Sequence, residues 1–146
     1  MFRALIAEKT DQDVHVHVTQ LDDQDLPDGD VVIDVEYSTI NYKDGLAVTN
    51  KAPVVRSWPM IPGIDLAGRV ADSNRDDIPV GLPVVINGWG LGETHWGGFS
   101  QRARVNGDWT VPVPETFDTK QAMAIGTAGF TAMLCLIALK ENHVLP

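Results

Sequence analysis

Pro62-Gly63-Ile64-Asp65-Leu66-Ala67-Gly68-Arg69-Val70 reads as a turn running into a strand that a glycine interrupts. Glycine inside a strand marks a bulge or a close approach of another backbone or ligand. Strand signals run from Asp65 to Ala71 and return at Pro83 to Asn87. Upstream, Val31-Val32-Ile33-Asp34-Val35-Glu36-Tyr37 is a β-branched strand. Before it, Asp22 to Asp30 is acidic, holds Pro27 and Gly29, and reads as a turn. Val14-His15-Val16-His17-Val18 alternates strictly, which predicts a half-buried strand with valines on one face and histidines on the other. Phe2 to Glu8 is an opening strand. Ser38 to Met60 has little regular patterning and reads as a loop. Gly88 to Gly98 holds five glycines and two tryptophans. Phe99 to Val105 and Trp109 to Val113 are further short strands, and Pro112 and Pro114 stop the β pattern.

From Asp118 the character changes, with no proline until Pro146. Asp118 or Thr116 caps a short helix carrying Gln121 to Ala124. Gly126 and Gly129 break or bend the path, and a longer helix runs from about Thr127 to Asn142. The expected class is mainly β with C-terminal helices: a barrel or sandwich over residues 1–117 and a helical unit over 118–146. In the longer helix Phe130, Ala132, Met133, Leu134, Cys135, Leu136, Ile137, Ala138 and Leu139 leave no polar face. A helix apolar all round needs cover on every side. Either a partner subunit or a further C-terminal domain supplies the second cover, and the second is the sharper expectation.

The 146 residues suit about one domain. Eleven basic residues stand against 20 acidic ones, a net charge of −9. That balance argues against duplex nucleic acid or an anionic membrane surface as partner. A single cysteine, Cys135, excludes a disulfide framework and a zinc site built on several thiolates. The N-terminal apolar run is too short for a signal-peptide core. The longest apolar stretch, Ala128 to Leu139, falls short of the roughly 17–25 residues of a membrane span. A cytoplasmic location with no membrane contact is expected.

Three blocks hold candidate chemistry. Thr39-Ile40-Asn41-Tyr42-Lys43-Asp44 follows a strand at a loop entry, where sites commonly lie. It offers donors, acceptors and an aromatic face, and equally suits a polar loop with Asx-turns. Gly126-Thr127-Ala128-Gly129-Phe130-Thr131-Ala132 either turns free N–H groups toward an anion or packs tightly through small residues. His15 and His17 share a strand face able in principle to hold a metal, with no third ligand evident.

Taken in order, Asn41-Tyr42-Lys43-Asp44, Pro59-Met60-Ile61-Pro62-Gly63-Ile64-Asp65-Leu66-Ala67-Gly68, the run Asn87 to Gly98 and the run Gly126 to Cys135 resemble one family. It is the zinc-free medium-chain dehydrogenases/reductases of the quinone-oxidoreductase-like class, whose N-terminal part the whole chain resembles. The His95-Trp96-Gly97-Gly98 run points to the acrylyl-CoA reductase branch. The resemblance implies a GroES-like, partly open barrel as catalytic domain, followed by a Rossmann domain that binds NADPH. The glycine fingerprint that opens such a second domain is not in this sequence. The chain is therefore expected to be the catalytic half of a longer reductase and inactive alone.

Zinc-dependent relatives carry their ligands where this chain has Asn41, Tyr42, Ile64 and Asp65, which implies no metal. The implied chemistry is hydride transfer to the β-carbon of an α,β-unsaturated acyl thioester, then protonation at the α-carbon, with donors meeting the enolate oxygen. By resemblance Tyr42 contacts the nicotinamide. Its neighbour Asn41 orients a carboxamide or a substrate carbonyl, and Thr127 bonds the carboxamide or ribose. As residue types, Asn41 also suits an Asx-turn and Thr127 a helix cap. Lys43, Lys51 and Arg56, opposed only by Asp44, form a basic rim suited to CoA phosphates. Trp89, His95 and Trp96 line an acyl pocket or pack the glycine-rich loop. Related mitochondrial enoyl reductases use a tyrosine as proton donor, but Val48-Thr49-Asn50-Lys51-Ala52-Pro53 holds none. NADPH:quinone reduction is the nearest alternative. A non-catalytic GroES-like binding or oligomerisation module is the alternative of another class. The intact protein is expected to be a homodimer acting on a small molecule, an acyl-CoA or a quinone.

Overall fold

A computed structural model describes residues 1–11 and 13–144. A two-stranded antiparallel sheet pairs β1 (Phe2–Lys9) with β2 (Val14–Leu21). A five-stranded sheet takes the order β6-β3-β4-β5-β7, from β3 (Val31–Tyr37), β4 (Asp65–Ser73), β5 (Pro83–Asn87), β6 (Arg102–Val105) and β7 (Val111–Pro112). Every pairing in it is antiparallel. Two helices complete the fold, α1 (Tyr42–Thr49) and α2 (Thr119–Glu141). The small sheet is stitched to the rest by Leu5 N–H to the Phe99 carbonyl and Ala7 N–H to the Met60 carbonyl, each 2.8 Å. The result is the mainly β class with a C-terminal helical unit that the sequence predicts.

The core follows from strand alternation. Val31 and Ile33 on β3, Leu66 and Val70 on β4, and Val84 and Ile86 on β5 face inward and are buried. A second cluster of Phe2, Ala4, Leu26, Val32 and Ile61 seats β1. Gly68 satisfies both sequence expectations. A Cβ there would lie 2.1 Å from the Asp34 carbonyl oxygen, and the β3–β4 register shifts between Val35 and Tyr37.

Several expectations need correction. The span 38–60 contains α1. Its first turn is tied by Asn41 N–H donating to Asp44 Oδ2 at 2.7 Å, and Gly45 and Thr49 weakened its helical signal. β2 is not half-buried: Val18 is 65% exposed and Val16 also faces solvent. The register sets His17 opposite Ile6 and Val18 opposite Leu5. Cross-strand partners share a face, so the histidines share the side on which β1 buries Phe2, Ala4 and Ile6. The valines stand on the opposite face, across from Leu5 and the buried Ala7, and Val16 and Val18 are nonetheless exposed. Phe99 to Gln101 lie outside β6. The strand placed at Trp109 to Val113 shrinks to β7, because a 3-10 turn occupies Gly107–Trp109.

α2 is capped by Asp118, whose carboxylate accepts from Gln121 N–H at 2.6 Å while Gln121 Oε1 accepts from Asp118 N–H at 3.0 Å. Thr116 is not the cap. Gly126, at φ 53 and ψ −165, interrupts the helix, a conformation that favours glycine. Before the kink, Thr119 and Met123 are buried, and the Thr119 hydroxyl bonds the Glu36 carboxylate. From Phe130 onward every described residue is exposed. An 18-residue window within α2 has a mean hydropathy of 2.0, so by length and composition alone the helix would suit a membrane span, more than the apolar run suggested. Residues 127–141 beyond the kink extend roughly 22 Å, short of a hydrocarbon core of about 30 Å.

Candidate active site

Three segments meet at one carboxylate. Asp65 opens β4 and is fully buried. Its Oδ1 accepts from the Thr39 N–H at 3.1 Å, and the Thr39 hydroxyl reaches both oxygens at 2.7 Å. Its Oδ2 accepts from Asn41 Nδ2 and from the Thr127 N–H, each 3.1 Å. The loop after β3, the head of β4 and the kink of α2 are thus joined through one side chain. The kink makes this possible: a Cβ on Gly126 would stand 3.2 Å from Thr39 Oγ1 and 3.4 Å from Asp65 Oδ2. No ion pair reaches Asp65 among the described residues, so neutral donors hold it.

Asp44 is the second buried carboxylate. It accepts from Asn41 N–H and, at 3.0 Å, from Ile64 N–H. Burial pushes its carboxyl above the ordinary value, the nearby Asp65 adds in the same sense, and the backbone bonds pull the other way. Thr127 Oγ1 lies 3.2 Å from Asn87 Nδ2, at the end of β5. Tyr42, the first residue of α1, is 84% exposed beside this node.

An apolar cleft of about 580 Å³ opens between α2 and the sheet, lined by Asn87, Trp89, Trp109, Ile125, Gly126 and Phe130 among others. Trp89 is exposed and stacks on Trp109 with ring centroids 6.3 Å apart. The structure therefore brings Asn41 and Thr127 together, with Tyr42 adjoining and Trp89 in the neighbouring cleft. His95 and Trp96 do not join them. His95 Nε2 meets the Arg104 carbonyl at 2.7 Å and its ring packs edge-on to Trp109. Trp96 donates to the Pro59 carbonyl at 3.0 Å and packs on the Phe2 cluster. Both brace the glycine-rich loop.

The basic rim also differs from expectation. Asp44 turns inward, and the opposing carboxylate is Glu93, paired with Lys43 at 2.7 Å. The Glu93 carbonyl takes the Arg56 N–H at 2.8 Å, while Arg56 itself is exposed. Sequence reasoning gave no binding role to Asp65, Thr39, Asn87 or Glu93. For Asp65 the signal was available: it is the one ionisable residue in the otherwise apolar run from Met60 to Ala67. Among the described residues no group of three or more His, Cys, Asp or Glu is arranged to hold a metal ion. His17 lies 4.0 Å from Glu8.

The alcohol dehydrogenase GroES-like domain matches residues 27–115. Acrylyl-CoA reductase AcuI of Ruegeria pomeroyi is 50% identical over 148 residues, covering 100% of this chain and 45% of its own length. YhfP of Bacillus subtilis, which carries a quinone oxidoreductase name, is 47% identical over 146 residues and is covered to 44%. Its crystal structure with NAD bound superposes with a TM-score of 0.95 over 99% of this chain. The YhdH oxidoreductase of Salmonella enterica, solved with NADP, also gives 0.95, at 49% identity, with 99% of this chain and 44% of that one covered. The chain thus spans under half the length of the curated relatives it matches.

Proposed function

From the premise that this chain belongs to the alcohol dehydrogenase GroES-like domain family, we propose that it carries the nicotinamide- and substrate-facing residues of an NADPH-dependent reductase. The substrate class is acrylyl-CoA or a similar enone. The observation that carries the reading is the convergence of Asn41 and Thr127 on Asp65 beside the exposed Tyr42. Half-identity to an acrylyl-CoA reductase and the NADP held by a close structural relative support it.

The donor set fits the carboxamide end of a nicotinamide, the group that supplies the hydride when bound. The two hydrogens of Asn41 Nδ2 go to Thr39 Oγ1 at 3.2 Å and to Asp65. Asn41 Oδ1, an acceptor, faces the Asp44 N–H in the capping box that opens α1 and has its second lone pair left for a carboxamide NH2. The Thr127 hydroxyl, accepting from Asn87, keeps its own proton to donate. Tyr42 presents a ring to the nicotinamide and a hydroxyl to a developing enolate oxygen. Trp89 lends an apolar wall to the acyl chain. Arg56 is the freer cation for CoA phosphates, since Glu93 holds Lys43. The same reading takes the intact protein as a cytoplasmic homodimer.

The test compares acrylyl-CoA with a simple quinone as oxidant of NADPH, using the product of the complete reading frame. At least tenfold higher kcat/KM for acrylyl-CoA is expected. A preference for the quinone replaces the substrate assignment, and turnover of neither overturns the reading. The 146-residue chain alone is expected to oxidise no NADPH, and tight NADPH binding by it would contradict the division of labour.

A further inference from the structure

Among the described residues three non-glycines lie at positive φ: Asn50, Trp89 and His143. Asn50 and His143 follow the ends of α1 and α2, where a left-handed residue is ordinary. Trp89, at φ 55, follows no helix, and the conformation is strained for a large side chain. The turn around it enforces that backbone. Gly88 N–H donates to the Ile64 carbonyl at 2.8 Å, Leu91 N–H donates to the Gly88 carbonyl at 3.0 Å, and Leu91 is fully buried. The Gly90 carbonyl takes the N–H groups of Glu93 and Thr94, each at 3.0 Å. The indole fills no core in return, being 61% exposed. It stacks on Trp109, which His95 backs edge-on with centroids 5.0 Å apart. Strain that presents a side chain without burying it is a pointer to function. The place is telling: Trp89 stands at the rim of the apolar cleft, beside Ile125 and Phe130 of α2 in its lining. Asn87, the one amide of that lining, sits two residues back and joins the cleft to Thr127 and the Asp65 cluster.

We propose that Trp89 is the specificity-determining residue of this cleft, a fixed indole at its rim that limits the apolar substituent on the β-carbon of the enone. The assignment rests on the function proposed above and deepens it by naming the side chain that separates short from long acyl thioesters. Selection is steric. The ring is held from the backbone by the turn and from its face by Trp109, so it does not give way to a longer chain. A short acyl group packs on the indole face, while a long one collides with it. Replacement by glycine removes the wall and also relieves the backbone, since glycine adopts φ near 55 without a side-chain clash.

The experiment measures kcat/KM in the complete protein for acrylyl-CoA, crotonyl-CoA and 2-octenoyl-CoA, with NADPH as reductant. Trp89→Gly is expected to raise the ratio of 2-octenoyl-CoA to acrylyl-CoA about tenfold or more, with crotonyl-CoA shifted less. Trp89→Phe keeps a smaller aromatic wall, and its ratio is expected to fall between those of wild type and Trp89→Gly. Thermal midpoints of the same proteins separate a wall from a structural prop. Relief of the backbone offsets the lost ring stack, so the Trp89→Gly midpoint is expected to stay within about 3 °C of wild type. An unchanged ratio overturns the proposal. So does a ratio that moves only together with a larger fall in the midpoint, because the indole would then be holding the loop rather than sizing the substrate. Should Trp89→Gly fail to fold, Trp89→Phe decides alone: a raised ratio supports the assignment and a wild-type ratio sinks it. Failure of the reductase reading shows separately, as wild-type protein that turns over none of the three thioesters.

Discussion

The two segments of α2 on either side of Gly126 are opposite in fate, and the more apolar one is the less covered. Before Gly126, Thr119 and Met123 are buried against the sheet and Asp118 closes the helix end. Past Thr127, which Asp65 and Asn87 still hold, cover runs out: Phe130 is 50% and Leu136 48% exposed, and every described residue from Phe130 on is exposed. Hydropathy states that a surface wants cover. It does not state what covers it, and here the barrel reaches only as far as the kink. The contrast gives the largest expected effect. Met123→Ala should lower stability by about 2–4 kcal/mol, because it opens a cavity in packed surroundings. Met133→Ala should change it by less than about 0.5 kcal/mol, since the side chain meets little but water. Denaturant midpoints measured on this chain decide. Equal costs would mean that the second half is buried in solution, by self-association or otherwise.

The cap sharpens the same comparison one step down. Asp118→Ala removes the acceptor for Gln121 N–H and should cost about 1 kcal/mol. Asn142, whose side chain donates to the Ala138 carbonyl at the far end of α2, should be replaceable by Ala at less than half that cost. The first half is anchored to the sheet, so fraying there loses tertiary contacts; fraying at the free end loses almost none. If the two substitutions cost the same, the sheet does not anchor the first half.

What the sequence made legible follows the same division. β-branched runs at Val31 to Tyr37 and Pro83 to Asn87, the glycine at 68 and the cap at Asp118 are local signals, and the fold uses each where its chemistry requires. The misreadings came from non-local facts. Val14 to Val18 alternates correctly, but nothing packs over Val16 and Val18, which stay exposed although β1 pairs alongside. α1 is short and holds Gly45, so only the bond between Asn41 and Asp44 reveals it. At the site, Asn41 and Thr127 are 86 positions apart by residue number, and the resemblance named both without saying what joins them. The joint is Asp65: its place as the one ionisable residue in the apolar run from Met60 to Ala67 is legible, but the donors that satisfy it come from Thr39, Asn41 and Thr127, which no local pattern links.

The two buried carboxylates differ in a way that pH can resolve. Asp65 is held by side-chain and backbone donors from Thr39, Asn41 and Thr127, whereas Asp44 relies mainly on the backbone N–H groups of Asn41 and Ile64, with the Asn41 side chain adding to them. Burial lifts Asp44 above its ordinary value of 3.8, and Asp65 adds to the lift. Between that value and the raised one, the folded chain binds more protons than the unfolded chain. The Asp44 contribution to stability therefore declines as pH rises through that window, and the penalty is fully present above it. The other carboxylates titrate over the same range, so only the difference between proteins isolates this group. Asp44→Asn is neutral throughout and should lack this decline. Its stability relative to wild type should improve as pH is raised from roughly 4 to 7, on top of a constant offset from the altered bond to Asn41 or Ile64. Parallel profiles would show that the hydrogen bonds to Asp44 fully compensate its burial.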